Sequence, residues 1–432
     1  MPTSLRIMLI AHGYPPRETA GTERHVSMLA RDLQERGHTV LVVAATRAPG
    51  RNQYTVSREE GVIRIVNNLS TRALADGESD SVIDKLMTEF EKEFNPDVVH
   101  IHHIQFLSST MKFKCPTVVT LHDEWAWCAS GGLSLQNGTT PCPGPTPSNC
   151  TVCHASWRPG PSNSAQILTK GARLLSPLVS PERLHSIYKK LPHWVRPSPV
   201  RGGTKVESES AAIRRNQMVM QFFEDCDVRI SPSQYLADRY QQHAGGNVQV
   251  IRHGLDRAWF SETHPKETDA PFVHIGTISH HKGTDRVVTA WRKAFPTGTP
   301  QLILHGPVLD PDAALGHPVH DVLDPEGVRR LLQGAKALVL GARWPENAPL
   351  IILEARAAGC PIIAPSIGGI PEIITDGIDG ILVEPGDDTA LMAAMKHINT
   401  HTPPTPSTPP RFSTQADAIE QVYTTVSERP RP

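Results

Sequence analysis

A chain of 432 residues is too long for one ordinary hydrophobic core and predicts two or three domains. A net charge of −1 gives no electrostatic footprint for nucleic acid or another polyanion, and apolar runs such as Val40–Ala45 and Ala337–Leu340 are far too short to cross a bilayer. The first apolar stretch, Leu5–Ala11, is short and no small-residue cleavage site follows it, which makes a poor signal peptide, so the expected location is the cytoplasm.

The first half alternates strands and helices. Arg6–Ala11 predicts a buried strand. Glu23–Arg36 carries Val26, Leu29 and Leu33 at helical spacing, and Gly37 supplies a C-terminal stop. Thr39–Ala44, Asp97–His102 and Pro116–Leu121 predict three more strands. Apolar strands without alternation, separated by helices, indicate a parallel sheet covered on both faces. The pattern breaks between Ser156 and Lys205, where Pro, Ser, Gly, Lys and Arg dominate and Glu182 is the one acid. Alternation returns with Ile213–Phe223, Asp227–Ser231, Gln234–Gln242 and Val248–Arg252.

A second series starts near Pro271. Its predicted strands are Phe272–Ile275, Gln301–His305, Ala337–Leu340, Pro361–Ala364 and Gly380–Val383, with helices at Asp285–Phe295, Pro325–Gln333 and Leu350–Ala358. A Pro- and Thr-rich stretch, Asn399–Pro410, leads to a last amphipathic segment, Ser413–Val426. Two similar α/β halves place a ligand by default in the cleft between them.

The segment Trp344–Gly359 holds the densest chemistry. A helix beginning near Pro349 offers unpaired backbone N–H groups and a positive dipole end, both suited to a diphosphate. Glu354, one turn along, can accept hydrogen bonds from vicinal ribose hydroxyls, while Glu346 in the preceding loop stands further out, where an attached sugar would be. Taken alone, two such glutamates fit a strand–loop–helix unit with solvated carboxylates better than they fit a donor site.

The surrounding motifs add specificity. Glu346 and Glu354 are followed by Gly359, an apolar strand and Gly368-Gly369-Ile370-Pro371-Glu372, then Asp376–Gly380 and Pro385–Asp387. Earlier come Tyr14–Pro16, Gly21–Glu23, Arg36–His38, Leu121–Asp123, Asp227–Ser233, His253–Asp256 and His281–Gly283. In this order, from about residue 5 to about 395, the chain resembles the retaining glycosyltransferases of family 4. That resemblance implies the GT-B fold: α/β, two Rossmann-like domains with parallel sheets facing a central cleft. The implied division is an acceptor-side domain over 1–262, joined by a C-terminal helix over 411–432, and a nucleotide-sugar domain over 263–400.

The resemblance also implies roles. Glu354 binds the donor ribose and Glu346 holds hydroxyls of the transferred sugar. Lys282 neutralises the diphosphate, and the N–H groups of Leu350 and Ile351 complete its cradle. Gly21, in a first-domain loop, and Gly276 admit the phosphates, with Thr277 beside Gly276. His122 faces the donor sugar. The implied reaction retains anomeric configuration and needs no metal or other cofactor. The donor is a nucleotide-diphosphate sugar, and the acceptor is a hydroxyl on a saccharide, a lipid-linked saccharide or a small molecule. One departure stands out: Thr277 occupies a position where the family often carries Arg, with His280 and His281 as nearby substitutes. An epimerase of the same fold and a catalytically weak sugar-nucleotide-binding protein are the alternatives.

Two insertions complete the reading. Cys128, Cys142, Cys150 and Cys153 crowd a Pro-rich loop at 128–154 and have ligand types suited to a structural zinc, with an iron–sulfur cluster or a set of uncoordinated thiols as alternatives and His154 as a substitute ligand. All seven cysteines, an odd number without an export signal, argue against a disulfide framework. The basic stretch 156–205 fits either a solvated surface insertion or a segment that rests on an anionic membrane surface at its inner face, or grips a lipid diphosphate acceptor.

Overall fold

The computed structural model describes residues 4–48, 50–69, 77–128, 131–132, 134–136, 140–144, 146, 149–150, 159–160, 200–201, 209–260 and 270–428. The first strand, β1 (Arg6–Ala11), is apolar on both faces and buried from its second residue onward. It is followed by α1 (Gly21–Glu35), which turns Val26, Leu29, Ala30 and Leu33 inward and stops before Gly37, whose φ is 92°. Next come β2 (Thr39–Thr46), β3 (Val56–Glu59), β4 (Val62–Val66) and α2 (Ser81–Phe94). The Asp80 carboxylate caps α2, accepting from the amides of Val82 and Ile83 at 3.1 and 3.2 Å. The half closes with β5 (Val98–Ile101), β6 (Thr117–Thr120), α3 (Glu209–Glu224), β7 (Val228–Ser231), α4 (Gln234–Ala244) and β8 (Gln249–Val250).

These strands form one sheet in the order β8-β7-β6-β5-β1-β2-β4-β3, parallel except for the edge strand β3. The β3–β4 hairpin was not expected from the sequence: charged Arg58 and Glu59 and the buried Arg64 mask the usual apolar signal. Arg64 donates from its two terminal nitrogens to the carbonyls of Tyr14 and Pro15 at 2.9 and 2.7 Å, which ties the loop after β1 to the sheet.

The second half contains β9 (Phe272–Ile275), α5 (Thr284–Ala294), β10 (Leu302–His305), β11 (Val319–His320), α6 (Pro325–Gly334), β12 (Ala337–Val339), α7 (Leu350–Ala357), β13 (Ile362–Pro365), β14 (Gly380–Val383) and α8 (Asp388–Thr400). Its sheet is fully parallel, in the order β11-β10-β9-β12-β13-β14. The two-residue β11 was not among the predicted strands.

Each sheet has an apolar core on both faces. The last helix, α9 (Phe412–Ser427), lies in the core of the first sheet beside β1 and α1, not in the second half that precedes it in sequence. The chain crosses back where Leu255 and Arg411 run side by side, with Leu255 donating to Pro410 O at 2.9 Å and Phe412 to Leu255 O at 2.8 Å. In each sheet the strand order reverses next to the first strand, between β1 and β5 and between β9 and β12. Clefts open outside the carboxyl ends of parallel strands at such points, and here the two clefts face each other.

Among the described residues no helix is long and apolar enough to cross a membrane. Of the basic insertion, only a two-residue pairing of Pro159–Gly160 with Val200–Arg201 is described, so the surface, membrane and acceptor readings of that stretch fall outside the described residues.

Candidate active site

The two domains enclose a cleft of about 830 Å³. Its second-domain wall is built on the loop between β12 and α7. Pro349 is the N-cap of α7 rather than its first helical residue, and no side chain caps the helix, so the first-turn amides at Leu350 and Ile351 are presented where the cleft lies. Glu354, one turn along and 1% exposed, is placed below those amides. Burial pushes its carboxyl above the usual carboxylate range, against the pull of a hydrogen-bonded Arg24.

Glu346 precedes the helix, and Lys282 Nζ reaches its Oε1 at 2.6 Å while lying 4.6 Å from the centre of the Trp344 ring. The loop carrying Glu346 is pinned from below by Gly368 and Gly369. Gly368 has a φ of 62°, Gly369 donates to Glu346 O at 2.8 Å, and a Cβ on Gly369 would stand 1.9 Å from Asn347 O. The glycine pair of the motif is therefore a close-packing requirement for the position of Glu346.

Gly276 follows β9 with a φ of 148° and lines the cleft. Thr277, half-buried, turns its carbonyl to Ser279 Oγ and falls outside the lining. His280 and His281 do not replace an arginine there. His280 contacts Asp312 at 3.1 Å and Asp285 at 3.5 Å, His281 is buried, and neither lines the cleft. The far end of the cleft is formed by Gly306, Pro307 and 322–325; Val322 is 63% exposed and offers an apolar face there.

The first-domain wall comes from the ends of β1, β5 and β6 and the start of α1. Gly21 is the first residue of α1 rather than part of a loop, and a Cβ on it would meet no protein atom within 4 Å. Its amide end thus faces the cleft opposite α7. His122 follows β6; its Nε2 is 3.1 Å from His102 Nδ1, and its carbonyl accepts from Asn347 Nδ2 of the second domain at 2.9 Å. Burial pushes His25, His102 and His122 well below the usual imidazole range, so all three are neutral at pH 7.

Beside them runs a chain of paired groups along the cleft wall: Glu23 to His12 at 3.2 Å, His12 to His103 with ring centres 4.4 Å apart, and His103 to Asp123 at 3.7 Å. The amide of Gln105 donates to His103 Nδ1 at 3.0 Å, which leaves the proton on Nε2 facing Asp123. Burial raises Glu23 and Asp123, but their histidine partners outweigh it and hold both below the usual carboxylate range.

The sequence reading assigned no role to Arg24, Asn347 or Glu372. Arg24 pairs with Glu354 across the cleft. Asn347 bridges the domains by accepting from Ser233 Oγ while donating to His122 O. Glu372, part of the second-domain glycine motif, accepts from the amides of Gln234 and Tyr235 at the start of α4 at 2.8 and 2.7 Å, and from Arg252 at 2.9 Å. It caps a first-domain helix from the second domain.

Of the four cysteines of the zinc reading, Cys128, Cys142 and Cys150 fall among the described residues. Cys128 Sγ accepts from Ser134 N, Cys142 Sγ donates to Gly144 O, and Cys150 packs on α3 beside Ala212. Among the described residues, the cluster of ligand-type groups whose atoms all lie within 4.8 Å of one another is His25, His102 and His122, not these thiols. Cys153 and His154 lie outside the described residues.

Two facing Rossmann-like domains, with an uncapped helix N-terminus and two carboxylates on one wall of the cleft between them, define a two-domain α/β protein. The comparisons specify it further. The family described as Glycosyltransferase Family 4 matches residues 19–140, and that described as Glycosyl transferases group 1 matches residues 270–401. Glycogen synthase of Mycobacterium tuberculosis is 31% identical over 164 residues, 35% of this chain and 39% of its own length. D-inositol 3-phosphate glycosyltransferase of Corynebacterium efficiens is 24% identical over 222 residues, 43% of this chain and 50% of its own. These matches span half or less of each relative. Among solved structures, sucrose-phosphate synthase from Thermosynechococcus elongatus superposes with a TM-score of 0.57 at 16% identity, covering 98% of this chain and 96% of its own. Anabaena HepE in complex with UDP and glucose superposes at 0.53 with 13% identity, covering 98% and 97%. The chain belongs to glycosyltransferase family 4 and has the GT-B fold.

Proposed function

We propose that this protein transfers a glycosyl group from a nucleotide-diphosphate sugar to a hydroxyl acceptor in glycan biosynthesis. The observation that carries the reading is the convergence of the α7 N-terminus, Lys282, Glu346 and Glu354 on one wall, with His122 opposite. The amides of Leu350 and Ile351 and the Lys282 ammonium stabilise the departing diphosphate, where negative charge develops. Glu354 takes the ribose hydroxyls and Glu346 those of the sugar. The neutral His122 donates a hydrogen bond toward the sugar without adding charge.

The reaction is proposed to retain anomeric configuration and to need no metal ion. The acceptor hydroxyl attacks on the face that the diphosphate leaves, and its proton passes to a leaving phosphate oxygen. Alignment of the two substrates between the domains supplies the remaining rate advantage. The excess of Lys and Arg over acid in 156–205 supports an acceptor that carries phosphate or lies at an anionic membrane surface.

The test is a screen of UDP-, ADP- and GDP-sugars for donor turnover, with and without saccharide acceptors, on the parent and Glu346→Ala. The reading expects donor consumption that falls at least tenfold in Glu346→Ala while nucleoside diphosphate still binds. Equal turnover in both proteins would contradict it, and a product that is the epimerised donor would replace it with the epimerase alternative.

A further inference from the structure

Any diphosphate entering this cleft brings at least two negative charges, and the described lining residues supply two full cations, Lys282 and Arg24. Both are already paired with carboxylates: Lys282 with Glu346, and Arg24 with Glu354. The other arginines near the phosphate wall are committed away from it. Arg343 makes a two-pronged contact with Asp285, at 2.6 and 2.7 Å, and also donates to His280 O. Arg286 is buried against Asp388.

Arg24 lies in the first turn of α1, three residues past Gly21, so its guanidinium crosses from the first domain to a carboxylate of the second. Glu354 is 2% exposed at its side chain, whereas Arg24 keeps 32%. The buried partner is fixed and the cleft-facing partner can leave. The amides at Leu350 and Ile351 lie about one helical turn, roughly 5 Å, from Glu354, well within the arc of an arginine side chain.

We infer that Arg24 is a donor-binding residue that changes partners: it neutralises Glu354 while the cleft is empty and moves to the donor diphosphate when ribose hydroxyls take Glu354. This rests on the functional reading above and deepens it. Removing Arg24 from Glu354 without replacement would leave a buried carboxylate unpaired, which is costly. A nucleotide solves the problem in one step, because its hydroxyls satisfy Glu354 and its phosphates receive the displaced guanidinium in charge-assisted, two-pronged geometry. A nucleoside satisfies Glu354 but offers the guanidinium nothing. The exchange therefore favours diphosphates over nucleosides and draws the first domain onto a ligand held by the second.

The test is isothermal titration calorimetry of UDP, ADP and GDP and of uridine, adenosine and guanosine, on the parent, Arg24→Ala, Arg24→Gln and Arg24→Lys. The inference expects the diphosphate bound by the parent to weaken 10- to 100-fold in Arg24→Ala and Arg24→Gln. The matching nucleoside should bind as before or a few-fold tighter, and Arg24→Lys, which keeps the charge but not the two-pronged geometry, should restore only part of the loss. Circular dichroism on each variant shows whether it is folded, and the half-exposed position makes Arg24→Gln the conservative check. Diphosphate affinity within twofold of the parent in Arg24→Gln would overturn the inference, as would an equal loss of nucleoside and diphosphate. If the parent binds none of the three diphosphates, the functional reading itself fails and takes this inference with it.

Discussion

Deleting everything after Ile398 should unfold the first domain and spare the second, although the deleted segment follows the second domain in sequence. Helix α9 places Phe412, Ile419, Val422, Tyr423 and Val426 in the first core, each at 6% exposure or less. At about 1.5–3 kcal/mol per buried large side chain, their loss is on the order of 10 kcal/mol, comparable to the whole stability of an ordinary domain. Polar ties are lost as well: Tyr423 OH to His100 Nδ1 at 2.6 Å, Gln415 Oε1 to Gly254 N at 3.0 Å, and Glu420 to Arg36 and His38. A milder version is Tyr423→Phe, which strands the buried His100 nitrogen and should cost about 1–3 kcal/mol in the first domain's unfolding transition. Hydrogen exchange resolved by peptide is the assay. Peptides of β1, β5 and α1 should lose protection in the truncated chain while 270–398 keeps it. Increased exchange confined to the second half would refute the assignment of α9.

Glu372→Ala should remove the cap that the second domain places on α4, so calorimetry should show the two domains unfolding further apart in temperature; an unchanged single profile would count against the clasp. Acid should destabilise the first domain, because burial lowers His253 to about 4 and His100 to about 3 from an ordinary 6.5. Between those values the unfolded chain binds protons that the folded chain refuses, so stability is full above 6.5 and falls with pH by about 1.4 kcal/mol per unit per histidine. His253→Asn should flatten that slope by about one proton in urea titrations from pH 7 to 4.5, and an unaltered slope would show that His253 does not contribute.

The core strands were legible because buried parallel strands read as short apolar runs, and most helices announced themselves through apolar spacing and a stop glycine or a proline at the start. The β3–β4 hairpin was not, since its edge strand is half-exposed and charged and Arg64 is buried by backbone carbonyls that sequence spacing does not reveal. The second-domain wall of the cleft was legible where its residues are local in sequence, as in Glu346 and Glu354 around one helix start. It was not where partners are distant: Arg24 and Glu354 are 330 residues apart, and Asn347 and His122 are 225 apart. Thr277 illustrates the converse, since it follows Gly276 in the motif but does not line the cleft, and its carbonyl accepts from Ser279 Oγ.

The central claim is that the second-domain wall around Glu354 holds a nucleotide. Calorimetric titration of the parent and Glu354→Ala with the nucleoside diphosphate selected by the screen tests it most directly. The account predicts binding by the parent and a loss of about 1–3 kcal/mol in Glu354→Ala, as expected when a buried hydrogen-bonding carboxylate is removed. Indistinguishable affinities in the two folded proteins would contradict it.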